Sequence, residues 1–272
     1  MATPFIPKEV DSEVNVQPTE RITDMVALFA AALIILVLLL SGSVFVIQLA
    51  ATRVSPKTES NYFSWISKSM KGHDIRDEGM QSFVSKLTAQ QQTYDIKVTI
   101  ACDGTPNAFA LPGGGIVINK GLLEEIKTEE GMAFVLAHEM GHLVQRHHMR
   151  SLSMGFLQIV LSWVIPMDTV AVWGLFEKLF TSAYSREQEA AADLYALTVM
   201  KKIYGSVQGS EEFFENIKNH PQEKFQRALW LTSSHPVTES RIQNIKTHQK
   251  NEVVKELSQT SLFTKLARKI CY

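Results

Sequence analysis

The sequence predicts an α+β fold, predominantly helical with a small β-sheet, preceded by one transmembrane helix. Three observations lead there. Met25–Ala50 is almost wholly apolar and long enough to cross a bilayer core as a helix. Asp95–Cys102, with Ile96, Val98 and Ile100 alternating, and Gly115–Asn119, with Ile116, Val117 and Ile118, read as strands. Apolar residues beyond Asp77 otherwise recur mainly at helical spacing.

In chain order, residues 1–24 read as a polar tail carrying Pro4, Pro7 and Pro18. Residues 25–50 read as an uncleaved anchor. A signal peptide has a basic leader and a shorter apolar core, whereas this tail is long and acidic (Glu9, Asp11, Glu13, Glu20, Asp24). Lys8 and Arg21 precede the run and Arg53, Lys57 and Lys68 follow it, a slight bias toward a cytoplasmic main domain. Residues 51–77 read as a polar juxtamembrane linker, residues 78–250 as the main domain and residues 251–272 as a C-terminal helix or tail.

Within the main domain a helix is expected from Asp77, with Met80, Phe83, Val84 and Leu87 facing the core. Gly104, Pro106, Pro112 and Gly113–Gly115 mark turns. Thr128 is a plausible N-cap for a helix reaching His147–Arg150, with Glu129 and Glu130 in its dipole-favoured first turn. Met154–Phe180 is apolar but broken by Pro166 and Asp168, which favours a buried or membrane-resting hairpin over a second span. Further helices are expected around Ser185–Lys201, Glu211–Asn219 and Val237–Leu257.

Composition excludes some functions. The chain has 272 residues, a net charge of −1 and 20% charged residues, so no basic excess points to nucleic acid. Cys102 and Cys271 are too few for a disulfide framework or a thiolate zinc site; one bridge tying the C-terminus back to the domain is conceivable, but nothing in the sequence supports it, and they read as buried or idle thiols.

The chemistry concentrates in His138-Glu139-Met140-Gly141-His142, an HExxH pattern on an apolar helix. Histidines four apart project from one face, where both imidazoles reach a single metal ion. Glu139 stands beside them as a base for an activated water. A catalytic zinc takes three protein ligands and leaves one position open. Glu189 is the best third candidate, with Asp193 one turn on placed to hydrogen-bond a ligating histidine, and Ala190–Ala192 between them allowing close helix approach. The plainer reading of Glu189 and Asp193 is a solvated acidic face.

Four blocks, Asn107–Gly114, His138–His147, Glu189–Asp193 and His235-Pro236 with Arg241-Ile242, resemble in order the HtpX-like family of membrane-associated zinc peptidases. These are relatives of the CAAX prenyl endopeptidase. A lone anchor and the NAFALPGG block look most like the single-pass and Oma-type members. The resemblance covers about residues 78–250 and implies a zincin-like domain of the gluzincin type, with one Zn2+ held by His138, His142 and Glu189. It also implies that His235 and Arg241 reach the site. His235 would donate to the oxyanion or fill the open zinc position at rest, and Arg241 would hold the geometry or pair with a carboxylate. Their plainer readings are a residue of the turn before Pro236 and a surface ion pair. His147 and His148 read as structural or surface residues, His147 facing away from the metal stripe.

The expected activity is a membrane-anchored zinc metalloendopeptidase acting on protein or peptide substrates. Gly115–Asn119 is a candidate edge strand for an extended substrate, with Asn107, Gly114 and Gly115 as contacts. The alternative is a proteolytically weak or inactive zinc-bearing module that binds unfolded chains. The lipid bilayer is the other expected partner. Oligomeric state is not encoded legibly, and the charge bias and the resemblance disagree about the side of the membrane.

Overall fold

The apolar run and much of the polar stretch behind it are helical in the computed structural model. It describes residues 22–69, 72–149, 184–218, 235–236, 238–250 and 256–271. The expected tail and the hairpin at Met154–Phe180 lie outside the described residues. The chain divides into two compact units, one ending at Phe45 and the other beginning at Val46.

Helix α1 is Ile22–Arg53, 32 residues long. Its described apolar side chains, Leu28, Phe29 and Leu39 among them, are exposed. Counted on the described residues, no helix is long and apolar enough to cross a membrane.

The segment expected as a linker contains a second helix, α2 (Pro56–Ser69). Ser55 caps it, its hydroxyl accepting from Thr58 N–H at 3.1 Å, and Pro56 takes the first helical position, where a missing N–H is harmless. Strand β1 (Gly72–Asp74) and helix α3 (Glu78–Thr88) follow. Asp77 caps α3 through Met80 N–H.

Strands β2 (Lys97–Ala101), β3 (Ala108–Leu111) and β4 (Gly115–Asn119) join β1 in a sheet of order β1-β2-β4-β3. β4 lies parallel to β2, with Lys97 opposite Gly115, and antiparallel to β3, with Leu111 opposite Gly115. Gly115–Asn119 is therefore an interior strand, not the expected edge; β3 is the edge on that side. Both faces of the sheet are covered, which is why β4 is buried throughout instead of alternating. Ile116 and Ile118 face the main core, whereas Val117 and Leu111 form a smaller cluster with Phe63 of α2.

A short helix α4 (Lys120–Glu125) leads to α5 (Glu129–Val144), the motif helix. Thr128 caps α5, accepting from Gly131 N–H at 3.0 Å. Helix α6 (Arg186–Tyr204) packs on α5, and their close approach has a visible cause. A Cβ on Gly141 would stand 3.1 Å from Ala192 Cα. Of the three alanines expected to permit this contact, Ala192 is fully buried and Ala190 is exposed.

Helices α7 (Glu212–Lys218), α8 (Glu239–Gln249) and α9 (Leu262–Cys271) complete the described elements. α9 buries Phe263 edge-on against Phe83 of α3, ring centroids 5.4 Å apart. Cys271 at its end is disulfide-bonded to Cys102, just after β2. The expectation of idle thiols is thus overturned: packing brings together two residues 169 positions apart, a proximity that no local pattern encodes.

Candidate metal centre

Two helices and one turn assemble the site. α5 buries nearly its whole length, and it presents His138, Glu139 and His142 about one turn before its end, at 5%, 2% and 0% exposure. α6 starts in a capping box between Ser185 and Gln188, and its first two turns carry Glu189 and Asp193. His235 precedes α8, whose cap Thr238 accepts from Arg241 N–H. His138, Glu139, His142, Glu189, Asp193, His235 and Arg241 are all buried, which excludes the solvated-face reading of Glu189 and Asp193 and the surface-pair reading of Arg241.

The donor atoms converge. His138 Nε2 lies 3.1 Å from His142 Nε2, and Glu189 stands 3.5 Å from the first and 3.4 Å from the second. His235 Nδ1 is 3.3 Å from His138 Nε2 and 2.9 Å from Glu189 Oε1. Tetrahedral zinc with bonds of about 2.0–2.1 Å sets neighbouring ligand atoms roughly 3.3 Å apart. The three expected ligands fit that figure, and His235 Nδ1 lies near enough to His138 and Glu189 that it could serve as a fourth donor. Its other nitrogen, Nε2, faces Glu139 Oε1 at 3.4 Å.

Around this set lies a second layer of charge. Asp193 Oδ1 is 2.9 Å from His138 Nδ1. Arg241 grips Asp193 with two bonds of 2.7 Å, from Nε and Nη2, and extends Nη1 to 2.6 Å from Glu189 Oε2. One guanidinium thus holds Glu189 and Asp193 in place.

Burial and these neighbours set the protonation states. Burial pushes the His142 pKa well below its ordinary value, leaving a neutral imidazole with a lone pair to offer. Burial also lowers His138, but hydrogen bonds and charge from Asp193 and Glu189 outweigh it and raise it to about 9, a strongly basic ligand. For Glu189, burial acts upward and is overcome by His235 charge and by bonds from the histidines, so it stays ionised. Burial raises the Glu139 pKa, against the pull of His235 and His138. A buried carboxylate held by a converging set of imidazoles is a donor set suited to Zn2+.

Residues 74–249 match peptidase family M48. The chain belongs to peptidase family M48. It is 31% identical over 168 residues to the mitochondrial metalloendopeptidase OMA1 of Schizosaccharomyces pombe, covering 60% of this chain and 50% of that protein. It is 30% identical over 155 residues to the human mitochondrial metalloendopeptidase OMA1, covering 50% of this chain and 29% of that protein. It is 25% identical over 150 residues to the β-barrel assembly-enhancing protease of Escherichia coli, covering 50% of this chain and 31% of that protein. The chain spans half or less of the length of these relatives. Family membership and the buried His138, His142, Glu189 and His235 cluster together identify a zinc-peptidase site.

The expected substrate contacts separate. Asn107, 1% exposed, lines a narrow pocket with Phe134, Glu139, His235 and Arg241, and its Oδ1 has no hydrogen-bond partner among the described residues. Gly114 and Gly115 instead line a different cleft of about 630 Å³ along α3.

Other residues at the centre escaped sequence reasoning. His147 is buried, and its Nδ1 lies 3.0 Å from His142 Nδ1 rather than facing away. Arg146 adopts φ 61°, so the chain folds back after α5 where a continued helix would have carried His147 off. Tyr184 stacks on His142, centroids 3.8 Å apart and planes 20° apart. Its one legible signal is its place just before the Ser185 cap, where apolar residues often close a helix start. His148 is also buried, 2.7 Å from Glu59 Oε1.

Proposed function

We propose that this chain is a membrane-anchored zinc endopeptidase that cuts protein segments held in extended form. The observation that carries the activity is the convergence of His138, His142 and Glu189 beside the base Glu139. Bound there, zinc would polarise the scissile carbonyl and acidify a water molecule.

The chain's own groups supply the rest. Glu139 takes the water's proton and delivers it to the departing amine. Arg241 holds Glu189 and Asp193 fixed, and Asp193 holds the His138 ring. The approach of His235 Nδ1 to His138 and Glu189 supports a resting state in which this imidazole would hold the fourth position and would have to move before water and substrate enter. Once displaced, the same ring is placed to donate to the oxyanion.

β3 is the sheet edge beside this machinery, and the Ala110 N–H acts on the Glu139 carboxylate. A substrate strand added along β3 would pass Asn107, whose buried Oδ1, without a partner among the described residues, is suited to a peptide N–H. Backbone pairing of that kind favours broad specificity.

Anchoring rests on α1. Its 32 residues reach roughly 48 Å at 1.5 Å per residue, beyond the ~30 Å of a hydrocarbon core, and its sequence from Met25 to Ala50 is nearly free of polar groups. The Cys102–Cys271 disulfide favours an oxidising compartment for the catalytic domain, against the small charge bias.

The test is degradation of casein or an unfolded membrane protein by the purified chain, with and without chelator. Cleavage should stop with chelator. Glu139→Gln should keep zinc and lower the rate about 10²–10⁴-fold or more. Zinc-bound wild type that holds unfolded chains without cutting them would replace this reading with the binding-module alternative.

A further inference from the structure

The two histidines of the motif are not held alike. His138 is backed by a carboxylate, Asp193 Oδ1 at 2.9 Å from its Nδ1. His142 is backed by another imidazole, His147 Nδ1 at 3.0 Å, and is stacked on the Tyr184 ring. His142 is fully buried and His147 is 7% exposed, so water does not readily substitute for this contact.

Tautomers follow from the geometry. The Nε2 of His142 faces His138 and Glu189, so its lone pair must be free there to bind a metal. Its proton then resides on Nδ1, which becomes a donor. A hydrogen bond to His147 Nδ1 requires that atom to carry a lone pair, with the His147 proton on Nε2. Two imidazoles facing through Nδ1 share one proton, and the shared proton fixes both rings.

We propose that His147 is a positioning residue: by accepting from His142 Nδ1–H it sets the tautomer and ring plane in which His142 binds zinc, while Tyr184 braces the ring face. This rests on the zinc-peptidase reading above. On an uninterrupted helix His147 would stand about 140° around the axis from His142. The left-handed turn at Arg146 brings it back, and that turn is held where Arg146 bonds Val54 O and Glu59. His142 O also receives His148 Nδ1 at 3.4 Å.

The test compares His147→Asn, whose amide oxygen stands near the place of Nδ1, with His147→Leu, which fills the space without an acceptor. Zinc affinity is read by competition with a chromogenic chelator on the full chain, and the melting temperature of the zinc-free protein is read beside it. His147→Leu should weaken zinc about 10–100-fold, the usual cost of losing such a partner, and His147→Asn should recover most of it. Equal zinc affinity in wild type and His147→Leu would overturn the proposal. So would loss in both variants matched by an equal fall in zinc-free melting temperature. If His147→Leu does not fold, nitrogen-15 shifts of the zinc-loaded wild type decide. His142 should be protonated at Nδ1 with a far-downfield proton, and His147 at Nε2; a proton on His147 Nδ1 would overturn the assignment. A wild type that binds no zinc would instead remove the metal-centre reading itself.

Discussion

Two buried carboxylates, Glu189 on α6 and Glu59 on α2, are each surrounded by histidine and arginine, yet they do different work. Glu59 is fully buried and receives Tyr94 OH at 2.8 Å, Gly113 N–H at 2.8 Å, His148 at 2.7 Å and Arg146 at 3.3 Å. Every partner is a donor, and one proton lies along each contact. Around Glu189 the nitrogens of His138 and His142 lie 3.1 Å apart, closer than either lies to the carboxylate at 3.5 and 3.4 Å, and His235 Nδ1 stands 3.3 Å from His138 Nε2. Three imidazolium cations cannot share that space, and one metal cation taking their lone pairs would satisfy all three together. A carboxylate whose neighbours all point at it is a structural hub; one whose neighbours also crowd each other is a metal ligand.

Isosteric substitutions should separate the two. Glu189→Gln removes a ligand and should weaken zinc by more than the roughly 100-fold expected for a lost supporting contact, with the fold retained through Arg241 and Asp193. Elemental analysis after dialysis checks this, and full zinc content would break the distinction. Glu59→Gln should keep zinc and lower stability by about 1.5–3 kcal/mol, the loss of charge-assisted hydrogen bonds in a buried site. Urea unfolding of the zinc-free proteins measures it.

The smallest effect is in pH. Burial pushes the Glu59 pKa up, but His148, Gly113 N–H and Tyr94 outweigh it, and the folded value lies below the usual 4.5. A lowered carboxyl contributes stability in full above its unfolded pKa and loses it as pH falls through the folded value. The stability gap between wild type and Glu59→Gln should therefore narrow below about pH 4.5, and a gap that widens on acidification would contradict the hub.

Much of the site was legible because it depends on spacing along regular helices. His138 and His142 on α5, and Glu189 and Asp193 on α6, follow from a four-residue interval, and Thr128 and Ser185 announce both helix starts. Features that depend on irregular backbone or distant packing were not legible. The return of His147 requires a left-handed Arg146, which sequence periodicity cannot signal. β3 has three of four residues buried and no alternation to betray it, since both faces of the sheet are covered. Glu59 sat in a stretch whose polarity read as a linker; Ser55-Pro56 was the cue that a helix began there. The cysteines carried no cue at all.

The Cys102–Cys271 bond encloses His138, His142, Glu189, Asp193, His235 and Arg241 within one covalent ring, and leaves Glu59 outside it. A single backbone cut anywhere inside that ring cannot separate the pieces that make the metal centre. Under oxidising conditions a nicked molecule keeps its full mass and all its ligands, and only a reductant lets the fragments part.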